Sequence, residues 1–70
     1  EIFAAIEELP EKCREVFKMS YIESQEEKEI AAQLNVSVNT VKTQKLRAKN
    51  YLKTRLGDLF VVLLLLFPDL

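Results

Sequence analysis

The chain predicts an all-α fold, a small four-helix domain followed by an additional apolar C-terminal helix. Three observations carry that expectation. Apolar residues recur at three- and four-residue intervals, as the inner stripe of a helix requires. The breaks between these stretches are short and hold residues that stop or start helices: Pro10, Ser24, Asn35 to Ser37, and Gly57 with Asp58. Within residues 28–48, two short helical patterns are joined by a tight turn. A chain of 70 residues makes one small domain, which buries only about 60 % of its unfolded surface and has little stability to spare.

Ile2, Phe3, Ile6 and Leu9 give the first helix its stripe, and Pro10 suits the first position of a second. That second helix is expected to reach about Ile22, with Cys13, Val16, Phe17 and Ser20 or Tyr21 inward. Ser24 followed by Glu27 has the spacing of a capping box, which predicts a third helix from near Gln25 to near Leu34. Ile30, Ala31 and Leu34 are its apolar face, with Ala31 small enough for another helix to cross closely.

In the turn, Asn35 suits a left-handed residue, Val36 is expected to plug the corner, and Ser37 to cap the fourth helix. Along that helix Val38, Val41, Ala48, Leu52 and Leu56 share one stripe, while Asn39, Lys42, Thr43, Leu46, Arg47 and Asn50 share the opposite face. Lys45 lies near the packing stripe, where its stem can cover the core and its ammonium reach water. Gly57 stops the helix and Asp58 offers a new cap. The domain is thus read as residues 1–57, with the helix-turn-helix at 25–55 and the apolar tail at 58–70.

Net charge is −1, but the charges are segregated. Residues 1–34 carry nine acids against four bases; residues 37–56 carry six bases (Lys42, Lys45, Arg47, Lys49, Lys53, Arg55) and no acid. A basic helix on an acidic body points to a polyanion on one side. Two helices at this spacing, the second all-positive, have the form of a helix-turn-helix that reads DNA in the major groove.

Other chemistries are excluded by composition. There is no His and only Cys13, so a disulfide within the chain, a zinc site of Cys/His spacing and a His-based triad cannot be built, and neither metal nor cofactor is expected. Cys13 reads as a small buried hydrophobe in a reducing, cytoplasmic compartment. No nucleophile with a base and no phosphate loop is present, which argues against an enzyme. The tail from Leu59 to Phe67 is too short to span a bilayer, which takes about 20 residues. It is expected to be helical and buried against protein: the groove between helices one, two and four, or the same tail of a second copy, with self-association the favoured outcome.

These residues resemble region 4 of the bacterial sigma-70 family of RNA polymerase sigma factors, in particular the extracytoplasmic-function group. The resemblance runs from about Leu9 to Leu56. It is carried by Leu9-Pro10-Glu11-Lys12-Cys13-Arg14-Glu15-Val16-Phe17, by Lys28-Glu29-Ile30-Ala31, and by Ser37-Val38-Asn39-Thr40-Val41-Lys42-Thr43 followed by Arg47-Ala48. Where the family often has Gly-Leu-Ser, this chain has Ser24-Gln25-Glu26; where many members have an aliphatic residue, it has Lys45.

The resemblance implies a small helix-turn-helix domain of the winged-helix-like, sigma region 4 type that recognises the promoter minus-35 element. By that resemblance Lys42, Thr43, Leu46 and Arg47 meet DNA. Their chemistry agrees: Arg and Lys donate to guanine, Thr to a base or phosphate, and Leu46 meets a thymine methyl or a sugar. Asn39 and Thr40 suit a phosphate or first base edge, as does Ser37 beside them at the positive end of helix four. Lys28, Lys49 and Lys53 suit phosphates, and Asn50 lies on the reading face. Implied partners are promoter DNA, the beta-subunit flap of RNA polymerase and an anti-sigma factor. A whole factor also needs a part that opens the minus-10 region, so the chain is expected to be a piece of a longer protein.

Two alternatives stay open. A response-regulator effector domain shares Glu-Ile-Ala and Thr-Val-Lys-Thr, though it usually opens with Thr-Arg-Glu. A helical protein-interaction module working through its apolar tail would show no salt-dependent DNA binding.

Overall fold

The computed structural model describes all residues, Glu1–Leu70, and contains five α-helices and no strand. They are α1 (Ile2–Glu7), α2 (Glu11–Phe17), which continues as a π-helical turn over Lys18–Ile22, α3 (Glu27–Leu34), α4 (Val38–Leu56) and α5 (Leu59–Leu66). The four expected helices and the tail helix are all present.

Two apolar clusters hold them. The larger joins Ala5, Ile6 and Leu9 with Cys13 and Phe17 of α2, Ala48, Leu52 and Leu56 of α4, and Phe60 and Leu63 of α5. The smaller joins Val16, Ile30, Ala31 and Val41, so it fixes α3 against α2 and the start of α4. Helices α2 and α4 each place buried residues in both clusters, and their packing sets the angle at which α3 and the outer face of α4 are presented.

Several local details differ from the sequence reading. Phe3 is 74 % exposed and Ala5 is buried instead. At 100° per residue, Ile2, Ala5, Ile6 and Leu9 make one stripe and Phe3 falls off its edge. Pro10 is extended (ψ 148°) and caps α2 rather than opening it; its carbonyl accepts from Arg14 at 2.8 Å. The continuation of α2 widens into the π turn, closed by the Glu23 amide on the Lys18 carbonyl at 2.9 Å.

Ser24 does not cap α3. It adopts a left-handed conformation (φ 57°), and the cap moves to Glu26, whose amide donates to the Glu29 side chain at 2.9 Å. Ser24 therefore takes the backbone geometry that glycine adopts freely, and the helix begins two residues later than expected.

Val36 does not plug the corner; it is 39 % exposed. The turn is closed by backbone instead. Asn35 is left-handed (φ 56°), its amide donates to Ala32 at 3.4 Å, and the Val36 amide donates to Ala31 at 3.0 Å, a Schellman closure. Asp58 is helical and makes no side-chain cap; Phe60 and Val61 amides close on the Gly57 and Asp58 carbonyls at 3.0 and 3.2 Å.

The tail is helical, but only one side is buried. Phe60 and Leu63 enter the larger cluster, and Phe67 meets Phe17 and Tyr21 with ring centroids 6.1 and 6.5 Å apart. The other side is uncovered, because four short helices offer a groove that receives one face of a helix and cannot surround it.

Candidate nucleic-acid interface

Helix α4 starts where it does because of Ser37. Its backbone is extended (ψ 159°) and its Oγ accepts the Thr40 amide at 3.1 Å, while the two hydroxyls lie 3.0 Å apart. This satisfies one of the free amides of the first turn and fixes Asn39 and Thr40, both exposed, at the positive end of the helix. The Ser37 hydroxyl is thus engaged in the cap.

From there the two faces separate as the sequence predicts. Val41, Ala48, Leu52 and Leu56 are buried, Val38 is half-buried, and Asn39, Lys42, Thr43, Leu46, Arg47, Asn50 and Lys53 are exposed. At 100° and 1.5 Å per residue, Asn39 to Lys53 spans about 21 Å, and the arc from Lys42 to Arg47 is about 140° wide. That is a continuous strip of a size the major groove admits. Leu46, 58 % exposed at its centre, is an apolar side chain with no partner in the fold.

The six bases divide into two groups. Lys42, Arg47 and Lys53 form no ion pair and are free to meet a polyanion. The other three are engaged. Lys45 Nζ lies 3.2 Å from Glu27 Oε2 and 5.2 Å above the Tyr21 ring. Lys49 Nζ donates to the Leu70 carbonyl at 3.3 Å. Arg55 donates through Nε and Nη2 to both carboxylate oxygens of Glu8, at 2.9 and 3.3 Å, and approaches Glu1 at 3.8 Å. The acidic N-terminal part therefore pairs Lys45 and Arg55 at the rear of α4 and leaves the front of the helix positive.

Ion pairing, at α4 and between Glu7 and Lys18, shifts the groups involved. The Arg55 guanidinium bonded to Glu8 holds its carboxyl below the ordinary 4.5, and the Lys18 ammonium bonded to Glu7 does the same there. Burial, then the hydrogen bond to Glu8 at 3.2 Å, pushes the Tyr51 hydroxyl above 10.0.

Lys28 stands apart from the strip, exposed as the second residue of α3. The structure adds Gln44 and Lys12 to the neighbourhood of Arg47. Gln44 Oε1 accepts from the Cys13 thiol at 2.8 Å, and a groove beside it is lined by Lys12, Arg47 and Tyr51. Neither stood out in the sequence. Gln44 is polar at a half-buried position, a departure from the stripe that could have marked it, whereas no pattern connects Lys12 to a helix 30 residues away.

A free basic strip on the second helix of a helix-turn-helix, with its rear charges paired internally, defines a DNA-binding domain. A family model described as sigma-70, region 4, matches residues 1–52, and the chain belongs to that family. Members of the family bind DNA and RNA polymerase and are not enzymes. Searches of curated proteins and of solved structures return no match. No helix is long and apolar enough to cross a membrane.

Proposed function

We propose that this chain reads the minus-35 element of bacterial promoters as region 4 of a sigma factor of the extracytoplasmic-function group, working in the cytoplasm to direct transcription initiation. In this reading α4 enters the major groove and α3 crosses the backbone. Lys42 and Arg47 donate to base edges, Thr43 to a base or phosphate, and Leu46 meets a thymine methyl. Asn39, Thr40, Asn50, Lys28, Lys49 and Lys53 serve at phosphates and at the edges of the site, and Ser37 serves through the helix start that it caps. The RNA polymerase beta-subunit flap holds the acidic side of the domain, and an anti-sigma factor covers it in the inactive state.

The observation that carries this is the split among the bases of α4. Lys42, Arg47 and Lys53 are unpaired on one face, whereas Lys45 and Arg55 on the other side pair with carboxylates of the N-terminal part. The unpaired three therefore lie together on the exposed face that would meet a polyanion. Titrating the chain against a duplex carrying its promoter's minus-35 element and a scrambled duplex, at several salt concentrations, tests it. Preference for the first duplex is expected, with affinity falling as salt rises. Equal, salt-independent binding of both would sink the proposal.

A further inference from the structure

Helix α2 carries two bases, and the fold uses only one of them. Arg14 donates to the Glu7 and Leu9 carbonyls at 3.0 and 3.5 Å, whereas Lys12 is exposed and forms no ion pair. Lys12 lines the groove between α2 and α4 that also holds Arg47, together with Glu11, Gln44 and Tyr51.

The polar groups of this groove are mostly donors. Gln44 Oε1 is taken by the Cys13 thiol at 2.8 Å, which leaves that side chain its Nε2 hydrogens to offer. The Tyr51 hydroxyl already donates to Glu8 at 3.2 Å. Lys12 and Arg47 set two positive charges against one carboxylate, that of Glu11, and neither base is paired within the chain. A groove of net positive charge with an amide donor beside it suits an anion.

Position decides which anion. Arg47 ends the exposed arc of α4 that begins at Lys42, and at 100° per residue Gln44 and Tyr51 lie about 60° and 40° beyond it, on the side of α2. The groove therefore adjoins one edge of the reading strip. A helix with its side chains is about 10–12 Å across and the major groove about 12 Å wide, so a helix seated there has a phosphate chain beside each edge of its exposed face. At the Arg47 edge the group the fold supplies is Lys12.

We propose that Lys12 holds a phosphate of the DNA strand flanking the Arg47 edge of α4, which makes α2 a third element of the interface. This rests on the reading of α4 as a major-groove helix. Every sequence has phosphates at the same places, so Lys12 adds affinity and fixes register without adding preference.

Fluorescence anisotropy of the 70-residue chain on a labelled duplex of arbitrary sequence, over a fourfold range of salt, tests this. Lys12→Ala is expected to flatten the log–log salt dependence by about 0.9, so that the fourfold rise in salt costs the variant about 3.5-fold less affinity than it costs the parent. Lys12→Arg should keep the parental slope, and Glu11→Gln, which removes the one carboxylate of the groove, should bind at least as tightly as the parent. Lys12 is exposed, so the melting temperature should not move. A salt-dependent parent whose slope Lys12→Ala shares would overturn this proposal and leave the reading of α4 standing; a parent without salt dependence would overturn both. Weaker binding by Glu11→Gln, or a loss in Lys12→Ala confined to one duplex sequence, would also overturn it.

Discussion

Lys45 lies 3.2 Å from Glu27 across the crossing of α3 and α4, with the Tyr21 ring 5.2 Å beneath its ammonium. One side chain thereby ties the two helices of the DNA-binding motif to the π turn behind them. Truncation by Lys45→Ala is expected to cost about 1 kcal/mol, from the packed stem, the cation–π contact and the ion pair together. Lys45→Met, which keeps the stem, should cost less. Urea unfolding of the three proteins checks the order.

Ser24 is a strained point of the backbone, at φ 57°. A left-handed L-residue costs roughly 1–2 kcal/mol, part of which glycine would return as extra freedom of the unfolded chain. Ser24→Gly is expected to stabilise by about 0.5–1 kcal/mol, read as a higher melting temperature. An unchanged or lower value would mean that the loop is not strained at this residue.

Acid should destabilise the domain through Glu7 and Glu8. Their folded values lie below the ordinary one, so the stability they add is complete above about 4.5 and is lost as pH falls through the folded values. Melting temperature is expected to drop on that acid limb, and Glu8→Gln to flatten it. Tyr51 acts at the other end: its raised value makes its contribution complete below about 10 and lost as pH rises beyond.

Much of this was legible in the sequence. The four helices, the Asn35–Ser37 turn, the Ser37 cap and the division of α4 into two faces all follow from spacing and residue type, because each is decided within a few residues. Lys45 also followed, since a lysine near an apolar stripe must bury its stem. What was not legible depends on distant or competing backbone geometry. Glu26 displaced Ser24 as the cap because Ser24 is left-handed and the first extended residue ahead of the helix is Glu26. Val36 is exposed because amides close the turn without it. That Arg55 pairs with Glu8 and leaves the front of α4 unpaired requires two helices 47 positions apart to meet.

Lys53 and Lys49 are expected to differ at DNA. Lys53 is free, whereas Lys49 already donates to the Leu70 carbonyl. Removing one phosphate contact flattens the log–log salt dependence by about 0.9. Lys53→Ala should show that change and Lys49→Ala a smaller one, measured by fluorescence anisotropy on a single duplex at several salt concentrations.

The assignment of the exposed α4 face as the promoter-reading surface is tested most directly by selection of bound duplexes from random DNA, using the chain and its Arg47→Ala variant. Arg47 is exposed and outside the packing stripe, so the variant should melt at the same temperature. Loss of a bidentate base contact costs about 1–3 kcal/mol. The account predicts a defined enriched sequence for the parent and relaxed preference at one position for the variant. No enriched sequence, or the same sequence at the same strength from both, would contradict it.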